Sequence, residues 1–134
     1  MDTRKNIELV LQLYDAFAKR DMKAILDLLS EDVEWGEPEN PYNPAAGTRK
    51  GHSGFLEWAK IGRDAEDILV LRPERFLTDE DSVAVIGYEK CRARMTGIEY
   101  ECDFVHFVVI RDGKIVKFQE FFDTYLAGEA FRLP

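Results

Sequence analysis

The chain has 134 residues, of which 46% are hydrophobic and 33% charged, with a formal net charge of −8: the length of one domain, with enough apolar material for one core. That acidic balance disfavours a nucleic-acid partner or an anionic membrane surface, both of which call for a basic face. No apolar run approaches the roughly 20 residues of a membrane span, and no secretory h-region follows Met1-Asp2-Thr3-Arg4-Lys5, so a cytoplasmic location is the expectation.

The first half reads as helices. Ile7, Val10, Leu11, Tyr14, Phe17 and Ala18 share one helical stripe, with Glu8, Gln12, Asp15 and Lys19 facing away. Asp21 can cap a short second helix carrying Met22, Ile25, Leu26 and Leu29. Asp32-Val33-Glu34-Trp35 reads as a short strand and 38–47 as a Pro/Asn-rich loop; a third helix over about 53–61 buries Phe55, Trp58 and Ala59.

The second half reads as strands. The first, 68–78, contains Pro73, which predicts an edge position or a bulge. Strands over about 82–95, 98–111 and 114–125 follow, separated by Thr96-Gly97 and Asp112-Gly113. Asp-Gly between apolar runs is a strong hairpin signal.

These turns set an expected register. With Thr96-Gly97 as a two-residue loop, Lys90 faces Asp103, Arg92 faces Glu101 and Arg94 faces Glu99, a charged ladder on a solvated face. The opposite face then carries Glu89, Cys91 and Ala93 against Tyr100, Cys102, Phe104 and His106. Cys91 and Cys102 pair in that register, and free thiols are expected in a reducing compartment. The same count at Asp112-Gly113 puts Gln119, Phe121 and Asp123 on the face of His106 and Phe104. Val105, Phe107, Val109, Phe118 and Phe122 fall on the other face, which three helices cannot also cover. A homodimer through that outer face is the expected cover.

The element order, with Leu29-Ser30-Glu31-Asp32-Val33-Glu34-Trp35, Ala46-Gly47-Thr48-Arg49-Lys50-Gly51, and Asp112-Gly113-Lys114-Ile115-Val116 leading into Glu120-Phe121-Phe122-Asp123-Thr124, resembles the nuclear transport factor two-like superfamily. Within it, the chain is similar to the SnoaL-like polyketide cyclase and ketosteroid isomerase-related group. The resemblance implies one α+β domain over 1–134: a conical, curved antiparallel sheet with three N-terminal helices on its concave face. It also implies an apolar pocket for a hydrophobic carbonyl compound, and cofactor-free, metal-free proton transfer leading to isomerisation, cyclisation or dehydration.

Taken residue by residue, Tyr14 is similar in place to an oxyanion-donating tyrosine of the isomerases. Glu37-Pro38 is similar to their carboxylate base before a proline, with Glu for Asp. His106 stands where they have a protonated carboxylic acid, a departure from the pattern. Asp123 is similar in place to the acid/base aspartate of the cyclases. The Asp-Arg-Asp trio of epoxide-hydrolase relatives is not met, because no inward Arg can be placed beside Asp123.

Proton abstraction next to a carbonyl needs a carboxylate base and donors aimed at the developing oxyanion. The catalytic candidates are therefore Tyr14, Glu37, His106 and Asp123, with either carboxylate as the proton carrier. The pocket candidates are Phe17, Trp35, Phe55, Trp58, Glu89, Phe104, Gln119 and Phe121. A non-catalytic ligand-binding or dimerisation module of the same fold is the alternative.

Overall fold

The computed structural model describes residues 3–134. Helix α1 (Thr3–Ala18) buries Asn6, Val10, Leu13 and Ala16, with Ile7, Tyr14 and Phe17 half-buried beside them; the buried stripe is rotated from the expected one, and Leu11 and Ala18 are exposed. It ends where Arg20 turns left-handed, φ 54°. Asp21 then caps α2 (Met22–Leu28), its carboxylate accepting from the Ala24 N–H at 3.1 Å. The chain continues as β1 (Leu29–Glu37), β2 (Gly47–Lys50), α3 (Gly51–Ala65), β3 (Glu66–Thr78), β4 (Ser82–Ala93), β5 (Glu99–Arg111), β6 (Lys114–Phe122) and α4 (Thr124–Phe131). Strand β2 and helix α4 are absent from the sequence expectation, and α3 extends past 53–61 at both ends.

The strands form one curved, unclosed sheet in the order β2-β1-β6-β5-β4-β3. All neighbours run antiparallel except β1 and β6, which pair in parallel. The three N-terminal helices bury their stripes against the inner face, around Val10, Leu13, Ile25, Trp35, Phe55 and Phe118. Each such side chain, fully removed from water, contributes about 1.5–3 kcal/mol. Pro73 sits on the edge strand β3 beside a register shift, so both of its sequence readings hold.

Two registers differ from the expectation. Between β4 and β5 the loop is four residues, 94–97, with the Ala93 N–H donating to the Ile98 carbonyl at 2.9 Å. Thr96 holds it open by donating from Oγ1 to the Ala130 carbonyl, 2.6 Å, and accepting from the Ile98 N–H, 3.1 Å. The slip is two residues, so every side chain keeps its face. Lys90 now faces Glu101 and Arg92 faces Glu99, while Cys91 faces Tyr100 and Cys102 faces Glu89. The two cysteines are diagonal neighbours rather than partners, and both are free thiols.

The second difference changes faces. The Asp112-Gly113 turn forms as expected, with φ 52° and 73° and Arg111 opposite Lys114. The register then shifts by one, since Ile110 pairs with Ile115 but Val109 pairs with Lys117, leaving Val116 as a bulge. Without it, Lys117 would stand opposite inward Val108 and be buried uncompensated. The bulge turns Lys117 outward and reverses every later residue of β6. Phe118 and Phe122, expected outside, therefore face in, and Phe118 is 3% exposed. Gln119 and Phe121, expected in the pocket, face out: the Gln119 amide lies over Gly36 and Phe121 is 53% exposed.

Asp123 lies past the end of β6. It caps α4, accepting from the Leu126 N–H at 3.0 Å, and is exposed. Ala127, Ala130 and Phe131 of α4 pack on Cys91, Ala93 and Tyr100, closing one end of the inner face. Asn40 ties the helix down by donating to the Thr124 carbonyl, 2.9 Å.

Candidate active site

The inner face gathers polar groups from seven elements and the loop after β1. His106 on β5 is 3% exposed and lies under the Phe104 ring, centroids 4.1 Å apart. Gly87 on β4 makes room for that ring, since a Cβ there would come within 2.4 Å of Phe104. Tyr14 of α1 meets His106 Nδ1 through its hydroxyl at 2.7 Å. On the other side of the imidazole, Nε2 lies 3.3 Å from Glu120 Oε1 of β6, without the alignment of a hydrogen bond. Glu120 in turn hydrogen-bonds Glu37 at the end of β1. Both Glu37 oxygens have a further donor: Trp58 Nε1 of α3 at 2.8 Å and Asn43 Nδ2 at 2.5 Å. Asn43 is itself fixed by the Ala45 N–H, 3.0 Å from its Oδ1.

Two more carboxyls complete the group. Glu89 of β4 is 7% exposed, and among the described residues no side chain hydrogen-bonds to it. Glu66, at the start of β3, accepts from the Tyr100 hydroxyl at 2.9 Å. Among the described residues, no Lys or Arg pairs with Glu37, Glu66, Glu89 or Glu120.

Burial without a countercharge favours neutral forms. Burial, then the Glu37 charge, pushes Glu89 up to about 7. The same two causes lead for Glu66, pushed up to about 8. Glu120 is raised well above the usual carboxylate range by burial and by Glu37 and Glu89. Burial brings His106 down to about 3, so the imidazole is neutral. The Tyr14 hydroxyl is raised by burial and by Glu120 and Glu89, and holds its proton. The 3.3 Å His106–Glu120 contact, although within ion-pair reach, thus joins two uncharged groups. From this network we assign the tautomer: Tyr14 donates to Nδ1, and Nε2 carries the hydrogen facing Glu120. Since both oxygens of Glu37 already accept from neutral donors, the proton shared with Glu120 sits on Glu120.

The structure therefore unites Tyr14, Glu37, His106, Glu89 and Phe104 and leaves Asp123, Gln119 and Phe121 outside. Phe17, Trp35, Phe55 and Trp58 pack mainly on one another, Trp35 stacking on Phe118 at 4.0 Å and lying 5.0 Å from Trp58. Of these only Trp58 reaches the acids directly. Glu120, Glu66 and Asn43 escaped the sequence reading, and Tyr100, placed on the inner face, was not among its site candidates. The signal for Glu120 was Lys117, which an uninterrupted register would bury.

Among the described residues, no cluster of three or more His, Cys, Asp or Glu has metal-ligand geometry. Two surface grooves of about 550 Å³ each lie elsewhere, one near Glu34, Lys50 and Lys117 and one near Met95, Ile98 and Arg132; no member of the acid cluster lines either.

Residues 10–118, most of the chain, match the SnoaL-like domain. The chain belongs to the SnoaL-like family. Solved structures agree across its full length. A nuclear transport factor two-like protein from Burkholderia xenovorans is 27% identical, with a TM-score of 0.91 over 98% of this chain and 99% of that one. One of unknown function from Burkholderia pseudomallei is 26% identical, TM-score 0.87, over 99% and 100%. TerC, co-crystallised with polyporic acid, is 31% identical, TM-score 0.82, over 95% and 98%. A comparison with curated proteins finds no match. The SnoaL-like scaffold accounts for the curved sheet and the inward convergence of β1, β4, β5 and β6. The acids on it are argued from this chain's own geometry. No helix among the described residues is long and apolar enough to cross a membrane.

Proposed function

We propose that this SnoaL-like protein catalyses cofactor-free proton transfer on a hydrophobic carbonyl compound, giving isomerisation, cyclisation or dehydration. The observation that carries the reading is the set of four buried and half-buried carboxyls with no cationic partner among the described residues, anchored by Tyr14, His106, Trp58 and Asn43. Glu89 is the proton carrier: near pH 7 it exchanges a proton readily, which is what general acid/base catalysis at neutral pH requires. It takes the proton from the carbon next to the carbonyl and returns it to another atom of the same molecule.

The Glu120 O–H, turning from Glu37 to the substrate, donates a hydrogen bond to the oxygen on which negative charge develops, while Trp58 and Asn43 keep the Glu37 carboxylate satisfied. Tyr14 and His106 act behind it, holding Glu120 in place. This assignment moves the proton carrier from Glu37 to Glu89 and drops Asp123, whose carboxylate is committed to the α4 cap. TerC, co-crystallised with polyporic acid, supports the reading that this fold takes small organic ligands. Two copies associate through the outer sheet face, where Val105, Phe107, Val109 and the exposed Phe121 lie together.

The test is exchange of the acidic C–H protons of 2-tetralone, an uncharged apolar ketone, in deuterium oxide. The wild type speeds exchange over buffer, and Glu89→Gln loses that acceleration. A second reading, a non-catalytic binder, draws on the absence of the acids from both grooves. Ketone binding without accelerated exchange would establish it.

A further inference from the structure

Inside the sheet, one strip of the face carrying the acids lies open. Strand register puts Ile68 opposite Cys91 and Leu71 opposite Glu89, the bulge at Leu69 bringing both aliphatic side chains inward. Their partners are closed off, Cys91 at 1% exposure and Glu89 at 7%, yet Ile68 is 58% and Leu71 37% exposed. Their position on the edge strand does not account for this. Phe76, on the same strand and face, is half-buried beneath α1 with its ring edge-on to Tyr14 at 6.4 Å.

Helix α3 leads directly into this strand, and its inward stripe is the nearest source of a side chain for Ile68 and Leu71. The inward stripe of that helix runs through Phe55 and Trp58 to Gly62, which sits about 20° from Phe55 around the axis at roughly 100° per residue. A Cβ on Gly62 would meet no atom within 4 Å. Glycine is a poor residue for a helix interior, and here no close packing requires it. Its effect is to leave the last turn of the inward stripe without a side chain, just before the chain enters β3.

We infer that the ligand reaches the acids through the gap between Gly62 on α3 and Ile68 and Leu71 on β3, and that its apolar body rests on those two side chains. The inference builds on the proposed proton-transfer site and gives it a direction. The carbonyl end points inward to Glu89 and the apolar end lies toward solvent. The ligand that fits is uncharged: an anionic group led past Glu66 and Glu89 toward Glu37 would meet only like charge or neutral acids, with no Lys or Arg paired to them among the described residues. It combines a flat or branched hydrocarbon body with one oxygen-bearing end.

The experiment measures binding of 2-naphthol, a neutral bicyclic phenol, by fluorescence, together with thermal stability, in the wild type, Gly62→Leu and Ile68→Ser. Gly62→Leu has room for its side chain and gains helix propensity, so its Tm equals or exceeds that of the wild type. Its affinity for 2-naphthol falls by at least about tenfold. Wild-type-like affinity, within about twofold, in a stable Gly62→Leu overturns the route and leaves the proton-transfer site standing. Should Gly62→Leu lose stability, Ile68→Ser decides: affinity weakened by about three- to tenfold supports the route, and unchanged affinity overturns it. A wild type that binds no 2-naphthol overturns both the route and the pocket beneath it.

Discussion

Replacing Glu89 by Gln makes the protein less sensitive to pH. The Glu89 carboxyl is pushed from 4.5 up to about 7 by burial and by Glu37, and at 7% exposure solvent screens it little. Between those values the folded chain holds a proton that the unfolded chain has released, so stability is fully present below pH 4.5 and is lost as pH rises through 7. Across pH 4.5 to 8 this one group costs the wild type about 3 kcal/mol, and Gln at the same place costs nothing that varies with pH. Any fixed penalty of the amide cancels in the difference. Urea unfolding of both proteins at pH 4.5, 6, 7 and 8 gives the comparison through the linear dependence of stability on denaturant. The Glu89→Gln minus wild-type stability difference should rise by about 3 kcal/mol over that range. Parallel pH curves would mean that Glu89 is solvated and ordinary, and the proton carrier would have to be sought elsewhere.

Phe118→Ala removes a ring stacked on Trp35 and destabilises by about 3–5 kcal/mol in the same unfolding assay; a loss under about 1 kcal/mol would put Phe118 outside and refute the bulge. Asp123→Ala costs about 1 kcal/mol, the worth of a helix cap, and leaves 2-tetralone exchange unchanged. Reduced exchange at full stability would restore Asp123 to the chemistry. Phe107→Lys puts a charge in the middle of the apolar outer face, so sedimentation should show a dimer for the wild type and a monomer for the variant. A wild-type monomer at micromolar concentration contradicts the interface.

The three N-terminal helices and the strand order from β3 to β6 were legible because apolar periodicity and Asp112-Gly113 leave few alternatives, and the curved architecture was implied by the resemblance to the superfamily. The inward set on β4 and β5 was legible too, even with the loop misread, because a two-residue slip preserves side-chain parity. Beyond Val116 that protection fails, as one extra residue exchanges the faces. Phe118, Gln119, Glu120 and Phe121 all moved together for that single reason. A pattern apolar on both faces hid the change, since either face of Phe118-Gln119-Glu120-Phe121 offers an aromatic to the core. Lys117 alone broke the symmetry. Glu66 and Asn43 were illegible in a stricter sense: nothing local marks them, and they join the site only because the curved sheet brings the start of β3 within electrostatic reach of Glu37 and the 38–46 loop lays Asn43 on it.

The account depends on Glu120 being a buried, protonated acid held between His106 and Glu37. Carbon NMR of the Glu120 side-chain carboxyl, followed from pH 4 to 9 and assigned by its loss in Glu120→Gln, tests this most directly. The protonated chemical shift should persist well above the pH at which surface glutamates ionise. A Glu120 carboxyl that titrates with them, near pH 4.5, would contradict the site at its centre.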